Sequence, residues 1–244
     1  MSHCLTGIQI VTSCSCFLNQ FIYCFYKKII VRSGKEIMKH TWTPSAIQDL
    51  LKKLTQAIAG LEEPMSLKIV HEYGKDPFLI LISCLLSLRA RDVVTYKVSK
   101  ELFKYAKTPQ ELVAMPIAAL EKIIRPIGTY KRKAHILHDV SEYLIKNHAG
   151  KVPSDEAELL AIRGVGRKTA NLVRGIAFDI PSICVDVHVH RIANALGLVH
   201  TKTPEQTEVA LKKIIPKKDW LKINHLLVVW GQNRAKMREM GFEF

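Results

Sequence analysis

The sequence predicts an all-α protein of roughly ten helices joined by short connections. Three observations carry that reading. Apolar residues recur at helical spacing, as at Ile136, Val140 and Leu144. Cap-and-proline pairs announce helix starts at Thr43-Pro44 and Thr203-Pro204. Only SICVDVHVH (182–190) alternates like a strand, and no strand–helix–strand rhythm surrounds it.

Taken in order, Thr43-Pro44 opens the helix SAIQDLLKKLTQAI. PFLILISCLLSL (77–88) is almost wholly apolar, and its length favours a central buried helix over a strand. Asp92 is the expected cap of VVTYKVSKELFKY. PQELVAM and IAALEKII are short helices, each introduced by a proline, and TYKRKAHILHDVSEYLIKN is an amphipathic one. Asp155 and Glu158 have capping-box spacing before EAELLAI. EQTEVALKKII follows Thr203-Pro204, and Asp219 is the expected cap of WLKINHLLVVWGQ.

With 244 residues the chain builds a sizeable core in one or two domains, and its 48% hydrophobic content excludes a disordered chain. The 36 Lys+Arg against 22 Asp+Glu give a formal charge of +14, which favours a polyanionic partner: DNA, RNA or an anionic membrane. Of six cysteines, Cys4, Cys14, Cys16 and Cys24 lie near the start; Cys84 and Cys184 sit in apolar surroundings and are expected to be buried free thiols. This is no disulfide framework and fits a reducing compartment.

The first 26 residues contain no Asp, Glu, Lys or Arg. FLNQFIYCFY, interrupted by Asn19 and Gln20, falls far short of the ~20 apolar residues of a membrane span. Lys27 and Lys28 follow the apolar stretch, the wrong order for a secretory signal; the lack of acidic residues fits a transit peptide and the near absence of arginine does not. Ordinary character begins at Met38, so residues 1–37 are expected to be a dispensable extension.

RGVGRKTAN (163–171) is the first stretch that carries chemistry. Gly164 and Gly166 make a tight turn after a helix ending near Ile162, and a new helix starts near Arg167 with Ala170, Val173 and Ala177 facing inward. Unpaired backbone N–H groups at that N-terminus suit a phosphate oxygen, with Arg167 beside them. This helix-hairpin-helix arrangement grips a nucleic-acid backbone without reading its sequence. A nucleotide P-loop requires GxxxxGK[ST] after a strand, whereas here Arg167 separates Gly166 from Lys168 and a helix precedes.

VDVHVHRIANALG (185–197) is the second. On a strand, Asp186, His188 and His190 would share a face and could bind a metal; on a helix they diverge. RIANALG has helical character, so Asp186 is expected to cap a helix, and no metal site is expected.

These two stretches, with LISCLLSLRARD (81–92), PIGTYKRKAHIL (126–137) and GKVPSDEAELLAI (150–162), closely resemble the endonuclease III branch of helix-hairpin-helix DNA glycosylases over about residues 42–232. The family usually carries proline where Arg163 stands. The resemblance implies a two-lobed all-α fold: a six-helix bundle at 68–180 containing the helix-hairpin-helix at 159–178, and a second lobe from 38–67 and 181–244. It implies a bifunctional glycosylase that removes damaged, oxidised pyrimidines from double-stranded DNA and cleaves abasic sites. Lys168 would be the nucleophile and Asp186 its acidic partner. Gly164, Val165, Gly166, Arg167 and Thr169 would hold DNA at the turn, Lys131 and Lys133 would line the DNA face, and Arg89 would fill the gap left by the extruded nucleotide or contact the orphaned base. The implied protein is an intracellular monomer that accompanies the DNA. The alternatives are a non-enzymatic DNA-binding module, which needs neither Lys168 nor Asp186, and a glycosylase without lyase action, which usually lacks the lysine.

One departure is plain. The family typically ends in C-x6-C-x2-C-x5-C holding a four-iron cluster, whereas this chain reads NRAKMREMGFEF after WGQ and has no cysteine beyond Cys184. The cluster is therefore expected to be absent.

Overall fold

A computed structural model describes residues 42–239; the extension at 1–37 and its four cysteines lie outside the described residues. Thirteen α-helices and one 3-10 turn make up the described chain, with no strand among the described residues. Residues 42–233 form one compact unit, and Arg234 and the residues after it fall in another.

Helix α1 (Pro44–Ala57) starts where Thr43 accepts from the N–H of Ala46, with Pro44 in the first turn. After α2 (Met65–Tyr73) comes α3 (Pro77–Ser87), which is the apolar run; Asp76 caps it and Phe78 through Leu86 are all buried. Its apolar character all round follows from its place: α2, α4 (Asp92–Leu102), α7 (Tyr130–His148) and α9 (Arg167–Phe178) pack around it. Helices α5 (Pro109–Ala114) and α6 (Ile117–Ile124) lie against α7. The full capping box forms at Thr108 and Glu111 of α5, where each side chain meets the other residue's N–H. One buried cluster runs from Met65 to Val173.

The rest of the unit is α10 (Val187–Ala195), α11 (Pro204–Ile214), the 3-10 turn Lys217–Asp219 and α12 (Trp220–Gln232). Here α12 packs on α10 and α1, and Trp42 Nε1 donates to the Gly197 carbonyl at 2.8 Å. The final α13 (Arg234–Glu239) is a short helix with Lys236 and Arg238 in its last turn. The helices outnumber the expectation by α2 and the short α13.

Two expected caps act elsewhere. Asp92 is the first residue of α4, and its carboxylate accepts instead from the N–H of Met65, at the start of α2, and from Gln232 Nε2. Asp219 precedes α12 with its carboxylate turned to Gln48 Nε2 at 2.7 Å, so it ties α1 to the base of α12. Asp155 caps α8 (Glu156–Ala161) as expected, accepting from Ala157 and Glu158.

Candidate active site

Helices α8 and α9 are joined by a turn through Ile162–Gly166. Gly164 has φ +92°, which a side chain would strain, and a Cβ there would press on Ile136 at 3.0 Å. Gly166 differs from the sequence reading: its φ is −93° and an added Cβ would meet nothing within 4 Å. The protein itself does not exclude a side chain there; the open space admits an approaching partner. No side chain caps α9, so its first N–H groups lie at a bare helix N-terminus.

Lys168 sits in that first turn with its side chain 51% exposed. Asp186 precedes α10, is largely buried, and accepts from the Val189 N–H at 2.9 Å. The two side chains meet, Lys168 Nζ to Asp186 Oδ2 at 3.9 Å. That exceeds hydrogen-bond range, so the amine is beside the carboxylate without being locked to it.

The backbone between the two helices sets this meeting. Asp179 ends α9 in the left-handed region and turns the chain back. The return strand-like segment then runs along α9: Ser182 Oγ donates to the Asn171 carbonyl, Asn171 Nδ2 to the Ile183 carbonyl, and Cys184 Sγ to the Lys168 carbonyl. Gly175 permits the close approach, since a Cβ there would lie 2.9 Å from Ser182 Oγ. The alternation of SICVDVHVH therefore reflects an extended segment pinned to a helix, and α10 begins at Val187. His188 and His190 diverge: His190 Nδ1 bonds Thr207, while His188 lies against Gly231.

Several expected DNA contacts take other roles. Lys133 is buried, and its ammonium donates to the carbonyls of Leu86 at 2.5 Å and Leu88 at 2.7 Å; it does not line an outer face. Thr169 is 3% exposed and Val165 6%, so neither side chain is presented outward, although the Val165 backbone lies in the turn. Arg167 is held by the buried Glu208, Nε to Oε2 at 2.9 Å and Nη2 to Oε1 at 3.2 Å, so its charge is compensated beside Lys168. Gly164, Gly166, Arg89 and Lys131 are exposed or partly so.

Glu208 also holds Lys212. Burial raises its pKa, but the hydrogen bonds from Arg167 and Lys212 outweigh burial and hold the carboxyl below the usual range. Sequence reasoning missed this residue because EQTEVALKK reads as an ordinary surface helix. Glu208→Gln leaves Arg167 with a neutral partner; we expect a loss of about 1–3 kcal/mol in urea unfolding at pH 7. The contribution is present above the unfolded carboxyl pKa and vanishes as pH falls through the lowered folded value. An unchanged midpoint would show that the pair does not anchor α9.

Burial alone pushes the Lys133 pKa from 10.5 down to about 8. Between those values the unfolded chain holds more protons than the folded one, so stability rises with pH. The wild type should gain stability relative to Lys133→Met as pH goes from 8 to 10.5. A pH-independent difference in urea midpoints contradicts this.

Two cavities border the helices that carry these residues. One of about 380 Å³ lies behind α9, with Leu172 and Ile176 of α9 facing Leu221 and Val228 of α12. The other, about 420 Å³, is lined by Arg91, Asp92, Tyr96, His188 and Gln232, so the first turn of α10 borders it.

The uncapped start of α9 behind the Gly-Val-Gly turn, with Lys168 facing the largely buried Asp186, is a helix-hairpin-helix arrangement. Residues 82–217 match the HhH-GPD superfamily of base excision DNA repair proteins, and the chain belongs to it. Within that superfamily its relatives are endonuclease III proteins. It is 47% identical to endonuclease III of Thermotoga maritima over 71% of this chain and 84% of that one. It is 36% identical to the Bacillus subtilis protein over 69% of this chain and 76% of that one. A trapped covalent intermediate of endonuclease III with DNA, an estranged-adenine complex, superposes with a TM-score of 0.69 at 35% identity, covering 79% of this chain and 87% of that one.

The four-iron cluster does not fit the described donors. Cys84 and Cys184 are the two cysteines among the described residues, both buried, whereas a four-iron cluster is held by four thiolates. They lie on α3 and on the segment before α10, and neither is near the described C-terminal helices in sequence.

Proposed function

We propose that this chain removes oxidised pyrimidines from double-stranded DNA and nicks the strand at the resulting or pre-existing abasic site by β-elimination. As an endonuclease III relative in a base excision repair family, it is a DNA glycosylase with abasic-site lyase activity. The observation that carries the finer reading is the meeting of Lys168 and Asp186 at 3.9 Å above an uncapped helix N-terminus.

The backbone N–H groups at the start of α9 take a phosphate oxygen next to the damaged nucleotide. The nucleotide is turned out of the stack; the cleft beside Asp92 and His188 is the space we assign to its base. Neutral Lys168 attacks C1′ as the glycosidic bond breaks, and the base leaves with the bonding electrons and takes up a proton. Asp186 stabilises the cationic sugar and takes the proton that the lysine nitrogen sheds. The sugar ring opens to a Schiff base. Loss of a C2′ proton then expels the 3′ phosphate, and water releases the lysine.

Nicking of a panel of duplexes, each with one oxidised pyrimidine, one oxidised purine or an abasic site, tests this. Oxidised pyrimidines and abasic sites should be cut at least about tenfold faster than the purine lesions. Equal cutting of all lesions would refute the pyrimidine assignment, and failure on abasic sites would refute the lyase chemistry. A DNA-binding module is the weaker reading, because it gives no use to a lysine and a carboxylate brought together.

We also infer that the protein works without a four-iron cluster, on the strength of the donor set. Protein purified without oxygen should contain well under one iron per chain and lack the visible absorption of an iron–thiolate centre. Four irons per chain would overturn this. Finally, we propose the two-lobed division at 68–180 and at 38–67 with 181–244, supported by a buried cluster that, Met65 apart, runs from Ile69 to Val173, and a place for the protein inside the cell with the DNA.

A further inference from the structure

Two non-glycine residues that flank α3 and α7 have left-handed backbones: Arg89 with φ 55°, just after α3, and Thr129 with φ 59°, just before α7. Such a conformation costs free energy and persists where surrounding contacts impose it. Lys133 supplies those contacts. Its N–H donates to the Thr129 carbonyl at 3.0 Å as the first bond of α7. Its side chain runs inward, and its ammonium donates to the carbonyls of Leu86 and Leu88. The Leu86 carbonyl belongs to the last turn of α3, where helix geometry leaves it without a partner. Leu88 immediately precedes Arg89. One residue thus meets both turns, its backbone N–H at the Thr129 carbonyl and its side chain at the loop that carries exposed Arg89.

The chemistry of the choice is informative. A buried ammonium is costly, and the partners here are two neutral carbonyls. An apolar side chain would fill the same space without that cost. What only the lysine does is hold the last turn of α3, at the Leu86 carbonyl, and the start of the loop, at the Leu88 carbonyl, at once.

We propose that Lys133 is a positioning residue for DNA engagement, fixing the Leu88–Arg91 backbone so that Arg89 enters the duplex at the extruded nucleotide. This rests on the reading of Arg89 as the residue that fills the gap or meets the orphaned base.

A double-mutant cycle tests it, using binding to a duplex that carries a tetrahydrofuran abasic analogue opposite 2-aminopurine. Arg89→Ala should weaken binding about tenfold and abolish the fluorescence change of the 2-aminopurine. Lys133→Met should weaken binding about fivefold and at least halve the fluorescence change; the double variant should be no weaker than about tenfold. Lys133→Gln, which keeps one donor group, should fall between wild type and Lys133→Met. It also carries the test if Lys133→Met unfolds. Additive losses, about fiftyfold in the double variant, would overturn the proposal while leaving Arg89 its role. A full fluorescence change in both Lys133 variants would do the same. An Arg89→Ala variant that binds and reports like the wild type would overturn the reading of Arg89 itself, and the proposal with it.

Discussion

Lys168→Gln is expected to abolish strand nicking at abasic sites, lowering the single-turnover rate by at least about a thousandfold. Glutamine has nearly the reach of lysine but no nucleophilic amine, so the loss reports chemistry. Folding should be untouched: the side chain is half exposed and its partner stands 3.9 Å away, so the change in stability should stay within about 0.5 kcal/mol. Binding to an uncleavable abasic duplex should persist, because the anion site belongs to the backbone of the turn and of α9. A variant that still nicks at more than about a tenth of the wild-type rate would remove Lys168 from the mechanism.

The second large effect separates the two duties of Asp186. The carboxylate caps α10 through the Val189 N–H and faces Lys168. Asparagine caps as well as aspartate does, so Asp186→Asn should hold its stability within about 0.5 kcal/mol while base excision falls about a hundredfold or more. Asp186→Ala should suffer the same loss of activity and, in addition, lose about 1 kcal/mol in thermal or urea unfolding. If Asp186→Asn keeps wild-type excision, the carboxylate is only a cap, and proton handling must lie elsewhere.

Much of this was legible in the residues. The glycine turn, the start of the helix at Arg167 and the capping role of Asp186 follow from local rules, because backbone conformation and capping act over a few residues. What local rules do not reach is the partner of a long side chain. Lys133 and Arg167 both read as cations on a DNA face; one is turned inward to the end of α3, and the other is held by Glu208 from α11. Asp92 and Asp219 stand at helix starts but bond to α2 and α1, contacts made 27 and 171 residues away in sequence. The pinning of 182–184 along α9 was likewise hidden, since its only trace was the glycine inside VRGIAF, which gains meaning when Ser182 is seen against it.

The proposed lyase chemistry requires a covalent bond between one lysine and the sugar. Borohydride reduction of the wild-type protein on an abasic duplex, followed by peptide mapping of the adduct by mass spectrometry, tests that bond directly. The expected result is a single cross-linked peptide with the sugar remnant on Lys168, and no adduct from Lys168→Gln. Attachment at another residue, or no adduct from a protein that still nicks the duplex, would contradict it.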